Sequence, residues 1–357
     1  MDEVRLSFLR RLIATPGPSG FEQPVQQVIY ELVEPYSDEV RRDTHGNLIA
    51  ALNAAGKPRV MLTAHCDELG FLIRYSDELG FLYFSPIGAH DPASLPGDRV
   101  IISTPSGPVP GVVGGHVGRR PVHLTGEPEF NFPGVFELWI DIGASSREEA
   151  LKRVPPGSAA VRAATLETLY EDIVVSHALD NRLGVFTIVE AMRSIFTQQD
   201  RLKAGIFLVT TAQEEVGARG IRTVAHAIDP QIAIVVDLTF TSDFPGAAKH
   251  AIGDLRINGG PVLTMGANIN PRVYQRLVQA AEDADLHWQI SPQVSQTFTD
   301  TDMLQLTRSG VATGLVSIPG RYIHTASEVA SLKDMEQAAE IIARFVLALD
   351  ENVDLIP

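Results

Sequence analysis

Four short apolar runs, at 60–64, 205–211, 232–236 and 311–318, constrain this chain more than any other feature. Each is too short for a core-spanning helix. Each is apolar at nearly every position rather than at every second one, the texture of strands buried on both faces of a parallel sheet. Stretches with helical spacing lie between them and before them: Val4, Phe8 and Leu12; Val25, Val28 and Leu32; Leu183, Phe186, Val189 and Phe196. Further helices are predicted to reach through Val224 and near 271–284, 301–308 and 331–349. Strands alternating with helices predict an α/β fold, with a sheet parallel at its centre and helices on both faces. The breaker P-G-P-S-G at 16–20 parts the first two helices, and the segment around His45, Gly46 and Asn47 predicts a turn between two strands.

From Leu69 to Leu166 the helical spacing disappears. Glycine, proline and short β-branched runs replace it, among them Val100-Ile101-Ile102 and Gly111-Val112-Val113, with turn signals about every ten residues. This predicts a small β-barrel domain at 69–166, inserted into a first domain made of 1–68 and 167–357. A set of long loops in its place would need more structureless chain than compact domains carry.

Composition narrows the partners. The 357 residues are 45% hydrophobic and 20% charged, as in soluble globular proteins, and carry a formal net charge of −15. That balance argues against a nucleic-acid groove, which needs a basic footprint, and offers nothing to an anionic membrane. It suits a protein that stores carboxylates to hold cations. The single cysteine, Cys66, excludes an internal disulfide and fits a reducing compartment. The first residues hold no apolar signal core, and no run approaches the roughly 20 apolar residues of a membrane span. A cytoplasmic protein is the expectation.

Ligands of such sheets bind beyond the carboxyl ends of the strands, and this chain repeatedly places reactive side chains there. His65 and Asp67 follow the run at 60–64, Glu214 and Glu215 follow 205–211, and Asp237 ends 232–236. Asp180 opens a helix, and His324 lies in the loop after 311–318. Two adjacent glutamates after a buried strand repel each other, and a cation removes that cost. Our reading is that Glu215 ligates a metal while Glu214 holds the water to be activated. With Asp67 in support, His65, Asp180, Glu215, Asp237 and His324 remain as ligands. Two imidazoles and three carboxylates suit a pair of divalent ions, most simply zinc, with cobalt or manganese possible.

Each residue also has a plainer reading. The glutamates could begin a solvated helix, Asp180 could be an N-cap, Asp237 could close a strand, and the histidines could serve the core or a loop. What favours a site is that all of them fall at one end of the sheet. His116 and His123 lie in the β segment and are expected to serve surface or turn roles. His177 is set aside as a possible supporting group. No phosphate loop and no serine nucleophile elbow is present. Cys66 points away from the groups beside it and is not a nucleophile candidate.

Five ordered motifs carry a family resemblance: T-A-H-C-D-E-L-G (63–70), A-L-D-N-R-L-G (178–184), T-T-A-Q-E-E-V-G-A-R-G (210–220), V-V-D-L-T (235–239) and R-Y-I-H-T-A-S-E-V (321–329). Together they resemble the tetrahedral aminopeptidases, a family that includes glutamyl and leucyl aminopeptidases and members labelled cellulase M. The resemblance spans nearly the whole chain, the β segment included, with I-G-A-H at 87–90 where I-G-G is usual. It implies a zinc-peptidase-like fold and two metals, one on His65, Asp180 and Asp237, the other on Asp180, Glu215 and His324. It implies Glu214 as general base and Asp67 as the carboxylate that orients His65. It also implies peptide substrates with a free N-terminus and a tetrahedral homododecamer built from dimers, with the β domain serving oligomerisation and access control.

Two other functions compete. A glycoside hydrolase would need a pair of carboxylates, such as Glu214 and Asp67, but leaves His65, Asp237 and His324 unexplained. A metal-stabilised assembly without catalysis would have no use for an unligated Glu214.

Overall fold

The computed structural model describes residues 1–115 and 134–357; His116 and His123 lie outside them. Two β systems organise the chain. Strands β1 (Glu39–Arg42), β2 (Leu48–Leu52) and β3 (Arg59–His65) open the main sheet. Then β4 (Gly70–Ser76), β5 (Leu82–Ile87), β6 (Arg99–Thr104), β7 (Gly107–Gly114), β8 (Trp139–Asp141) and β9 (Ala159–Arg162) form a separate closed barrel in the order β4-β5-β8-β7-β6-β9. The chain returns to the main sheet with β10 (Glu167–Tyr170), β11 (Ile173–Ser176), β12 (Gly205–Thr211), β13 (Ile232–Phe240), β14 (Val262–Gly266), β15 (Gln289–Gln293), β16 (Ala312–Arg321) and β17 (Glu328–Ser331). Among the described residues that sheet has eleven strands, ordered β1-β2-β12-β3-β13-β16-β17-β11-β10, with β14 joining β16 to β15.

The four apolar runs are the central strands β12, β3, β13 and β16, and all three contacts between them are parallel. Side chains alternate between the two faces. Val60, Leu62 and Ala64 enter one core with Ile232, Ile234 and Val236, under the helices Gln23–Val33, Leu179–Phe196 and Leu332–Leu347. Met61, Ala233 and Val235 enter a second core under the helix Arg219–Ile228. Burial on both faces is why these strands carry no polar alternation. Fully burying one such aliphatic side chain is worth about 1.5–3 kcal/mol.

The wings differ from the centre. The pairs β1–β2, β2–β12, β16–β17, β17–β11 and β11–β10 are antiparallel. Strands β10, β11, β14, β15 and β17 carry no long apolar run, so the sequence alone did not single them out. The helix expected at 301–308 is one turn, Thr301–Leu304, because Thr307 and Gly310 close turns instead.

The barrel strands fall inside the 69–166 stretch and enclose a core of their own, including Phe71, Phe84, Val100, Ile102 and Ile140. Phe71 meets Phe84 edge to face at 4.8 Å. A buried arginine ties barrel to sheet: Arg162 donates to Asp98 Oδ2 at 2.6 Å within the barrel and to the carbonyl of His324 at 2.9 Å. No helix among the described residues is long and apolar enough to cross a membrane.

Candidate metal centre

The site is assembled by strand register. In the parallel pair of β12 and β3, Thr211 stands beside His65, so the turn after β12 delivers Glu214 and Glu215 just past the end of β3. On the other side Val235 stands beside Thr63, which brings Asp237 level with His65 two residues on. Asp237 does not end its strand as the sequence suggested. β13 continues to Phe240 because its pairing with β16 runs on to Gly320. Asp180 lies in the first turn of the helix Leu179–Phe196 with extended, non-helical dihedrals, so it is not an ordinary helix cap. Close packing at that helix start is set by Gly184, where a Cβ would fall 1.9 Å from Asn181 Oδ1.

The five expected ligands meet around Asp180. Its Oδ1 lies 3.3 Å from His65 Nε2, and its Oδ2 lies 3.3 Å from His324 Nε2. Asp237 Oδ1 is 3.6 Å from the same His65 nitrogen, and Glu215 Oε1 is 3.8 Å from that of His324. The result is two groups, His65–Asp180–Asp237 and Asp180–Glu215–His324, each with its ligand atoms within 4.8 Å of one another. Asp180 belongs to both.

Charge balance in this cluster is poor without a cation. Burial pushes the carboxyl groups of Glu214 and Glu215 well above their usual range, and neighbouring carboxylates push them further: Asp300, Asp237 and Asp67 for Glu214, Asp180 and Glu214 for Glu215. Burial also raises Asp237, against the opposing pull of His65. Burial opposes ionisation of Asp180 too, but the imidazoles of His324 and His65 hold it ionised. Asp180 Oδ1 is a buried oxygen with no hydrogen-bond partner. An orphaned carboxylate oxygen among convergent oxygen and imidazole donors is what a divalent ion of the zinc type requires.

Supporting groups hold these ligands from behind. The Asp67 carboxylate accepts the amides of Glu214 (3.0 Å) and Glu215 (3.1 Å) and the Ser19 hydroxyl (2.6 Å). Its reach to His65 is weaker: His65 Nδ1 is 3.1 Å from the Asp67 carbonyl oxygen and 3.6 Å from its carboxylate. Asp67 therefore anchors the two-glutamate turn as well as facing His65. Buried Glu328 spans the opposite side, accepting the amides of Asp180 (3.0 Å) and His324 (2.9 Å). His177 joins neither ligand group; its Nδ1 lies 3.1 Å from the Thr325 carbonyl and its Nε2 lies 3.4 Å from Glu68. Buried Asp300 accepts from Thr211 Oγ1 at 2.6 Å.

Sequence reasoning missed Glu328 and Asp300. Glu328 follows His324 within a quoted motif, and an acid at the start of a buried strand is the signal that could have found it. The backbone is strained here as well: Ala178, Gln213 and His324 have φ of 61°, 60° and 67°, a region that costs a side-chain-bearing residue energy and collects at functional sites. Cys66 is buried and unpaired, and burial raises its thiol pKa well above the usual value, so it is not a nucleophile.

The cluster forms the floor of a cavity of about 260 Å³. A larger groove, about 330 Å³ between helices at Ser194, Arg276 and Arg344, contains no histidine and no comparable acid cluster. The candidate metal ligands therefore line the smaller cavity.

Comparison with known proteins gives one answer. The M42 glutamyl aminopeptidase family matches residues 46–341. The lysyl aminopeptidase of Pyrococcus furiosus is 32% identical over 361 residues, covering 99% of this chain and 100% of the relative. The crystal structure of a TET aminopeptidase from a marine sediment Thaumarchaeota archaeon superposes with a TM-score of 0.90 at 29% identity, covering 98% of this chain and 97% of that one. The Pyrococcus horikoshii TET1 peptidase, which can assemble into a tetrahedron or a large octahedral shell, gives 0.83 at 28% identity over 97% and 100%. A glycoside hydrolase is not favoured by these matches. The chain belongs to the M42 glutamyl aminopeptidase family, as the five ordered motifs implied.

Proposed function

We propose that this chain is a two-metal aminopeptidase that removes residues from the free N-terminus of peptides. The observation that carries the reading is the sharing of Asp180 between two three-residue ligand groups. His65, Asp180 and Asp237 would hold one ion and Asp180, Glu215 and His324 the other, zinc in the simplest case, with cobalt or manganese as alternatives. When bound, such a pair lowers the pKa of a water and polarises a carbonyl. Glu214, whose side chain faces the cavity without joining either ligand group, takes the proton of the attacking water and returns it to the leaving amine. Asp67 holds the Glu214 and Glu215 amides, so base and ligand keep a fixed separation. Glu328 does the same for Asp180 and His324.

We further propose that 1–68 and 167–357 act as the catalytic domain and that the barrel segment at 69–166 serves self-association and access. The assembly proposed is a tetrahedral homododecamer built from dimers, in line with the shells of the Pyrococcus horikoshii relative. A lone buried cysteine and a net charge of −15 suit a cytoplasmic protein with no nucleic-acid or membrane partner.

The test combines chelation with one substitution. Chelator should abolish hydrolysis of aminoacyl amides, and zinc or cobalt should restore it, with elemental analysis giving two ions per chain. Glu214→Gln should retain both ions and lose about 10²–10⁴-fold in turnover, the usual contribution of a general base. Full turnover in that variant, or hydrolysis that survives metal removal, would overturn the mechanism.

A further inference from the structure

We infer that the preferred N-terminal residue of the substrate is uncharged and apolar or aromatic, and that Phe298 is the side chain that selects it. The inference rests on the aminopeptidase reading and concerns the walls of the same cavity. The acids and imidazoles on its floor are the metal ligands and Glu214. Among the described residues, the rest of the lining is Leu238, Phe240, Phe298 and Ile323 together with threonines and glutamines. Among the described residues, no lysine or arginine lines it to meet a glutamyl side chain, and no carboxylate outside the floor cluster lines it to meet a lysyl one. A charged side chain entering such a cavity loses water and gains no opposite charge, and enzymes discriminate most strongly on that kind of loss. Relatives in this family are called glutamyl and lysyl aminopeptidases, yet the described lining of this cavity offers an opposite charge to neither side chain.

Phe298 stands out for its backbone. Its φ is 56°, a left-handed conformation that is a genuine outlier for a bulky residue. The conformation is held from below. The Asp302 carboxylate accepts the Phe298 amide at 3.0 Å and the Thr297 amide at 2.9 Å, and it is itself fixed by Asn268 Nδ2 at 2.7 Å. The ring so placed is 83% exposed at the cavity wall, so packing within the chain does not explain it. Strain together with exposure of a large apolar group signals a contact made with something else. Phe240, 54% exposed and three residues beyond Asp237, offers a second ring on the same cavity, above the buried side chains of Leu238 and Ile323. An apolar side chain of the substrate covers these rings.

The experiment is a panel of leucyl, phenylalanyl, alanyl, glutamyl and lysyl p-nitroanilides, run on the full chain with zinc or cobalt. The leucyl and phenylalanyl substrates should exceed the glutamyl and lysyl ones by at least about tenfold in kcat/KM, a modest value for an apolar pocket. Phe298→Gly keeps the left-handed backbone without strain. It should raise KM for the leucyl and phenylalanyl substrates while leaving the alanyl substrate, too short to reach the ring, nearly unchanged. The exposed Gln296→Arg should raise glutamyl turnover relative to leucyl. Calorimetry with leucinamide, glutamic acid α-amide and lysinamide on the Glu214→Gln variant gives the same ranking without turnover. Best activity on the glutamyl or lysyl substrate would overturn the inference and leave the aminopeptidase reading intact. Equal losses on alanyl and leucyl substrates in Phe298→Gly would remove Phe298 from selection. Hydrolysis of no member of the panel would overturn the aminopeptidase reading itself.

Discussion

The central sheet and the barrel use the same kind of strand to opposite ends. β13 is buried from Ile232 through Leu238, whereas β6 and β7 alternate between interior and surface along most of their length. A sheet covered on both faces leaves only its strand ends open, and the carboxyl ends are where His65, Glu214, Glu215 and the flanking Asp237 converge. A barrel spends its interior on its own core and keeps an outer face free for other contacts. The difference teaches that the sheet carries the candidate ligands, while the barrel segment meets them from outside, through Arg162 on the carbonyl of His324 and at Gly88, where an added Cβ would lie 3.4 Å from the Glu215 carbonyl oxygen.

The largest effect expected from breaking this contrast is on the sheet. Leu62 is fully buried in β3, three residues before His65. Leu62→Ala should cost about 2–5 kcal/mol in urea unfolding, the range for large-to-small changes in a closed core. A cost under 1 kcal/mol would show that the strand is not the buried platform described.

A smaller effect is expected just outside the ligands. Burial, opposed by His177, raises the Glu328 carboxyl pKa to about 7, and Glu328→Gln replaces one of the two oxygens that accept the Asp180 and His324 amides with an NH2 that cannot accept. Loss of such a supporting group should weaken metal binding by about 10–100-fold, read by competition with a chelating dye. Unchanged affinity would mean that Glu328 serves folding alone.

The smallest effect concerns the barrel and acid. His90 stacks on Phe71 at 4.7 Å and points Nε2 at the carbonyls of Gly70 (2.9 Å) and Ile87 (3.2 Å). Burial, with the Arg162 charge adding to it, lowers its pKa from 6.5 to about 4. Below pH 6.5 the unfolded chain binds a proton that the folded chain refuses, so stability is whole above 6.5 and falls as the pH drops towards 4. Unfolding followed by the fluorescence of the two tryptophans, Trp139 and Trp288, should show this slope, and His90→Phe should flatten it. An unchanged slope in that variant would assign the acid sensitivity to other groups.

Much of this was legible in the sequence because strand ends are marked by composition. An apolar run that stops at a histidine or an acid announces both a buried strand and a group near its tip, and His65, Glu215 and Asp237 were read that way, whereas Asp180 was read from a helix start and His324 from a loop. The end of β13 was placed three residues early, at Asp237, because the apolar run stops before the pairing does, and pairing depends on the partner strand β16. The antiparallel wings were not legible, since short strands such as β11 and β17 are defined by the partner they hydrogen-bond. Glu328 and Asp300 were missed for a related reason: their partners are the backbone amides of Asp180 and His324 for one and a hydroxyl from a distant strand for the other.

By itself the sequence determined which side chains could ligate, that most of them lie at or near the carboxyl ends of buried strands, and that a β-rich segment interrupts the alternation of strands and helices. Those properties are local, set by side-chain chemistry and periodicity. Only the tertiary structure decided that Asp180 stands between two imidazoles, that Asp67 and Glu328 brace the cluster from opposite sides, and that Phe298 is held at the cavity wall. Each depends on distances between residues far apart in the chain, which strand register and close packing fix only once the whole sheet has formed.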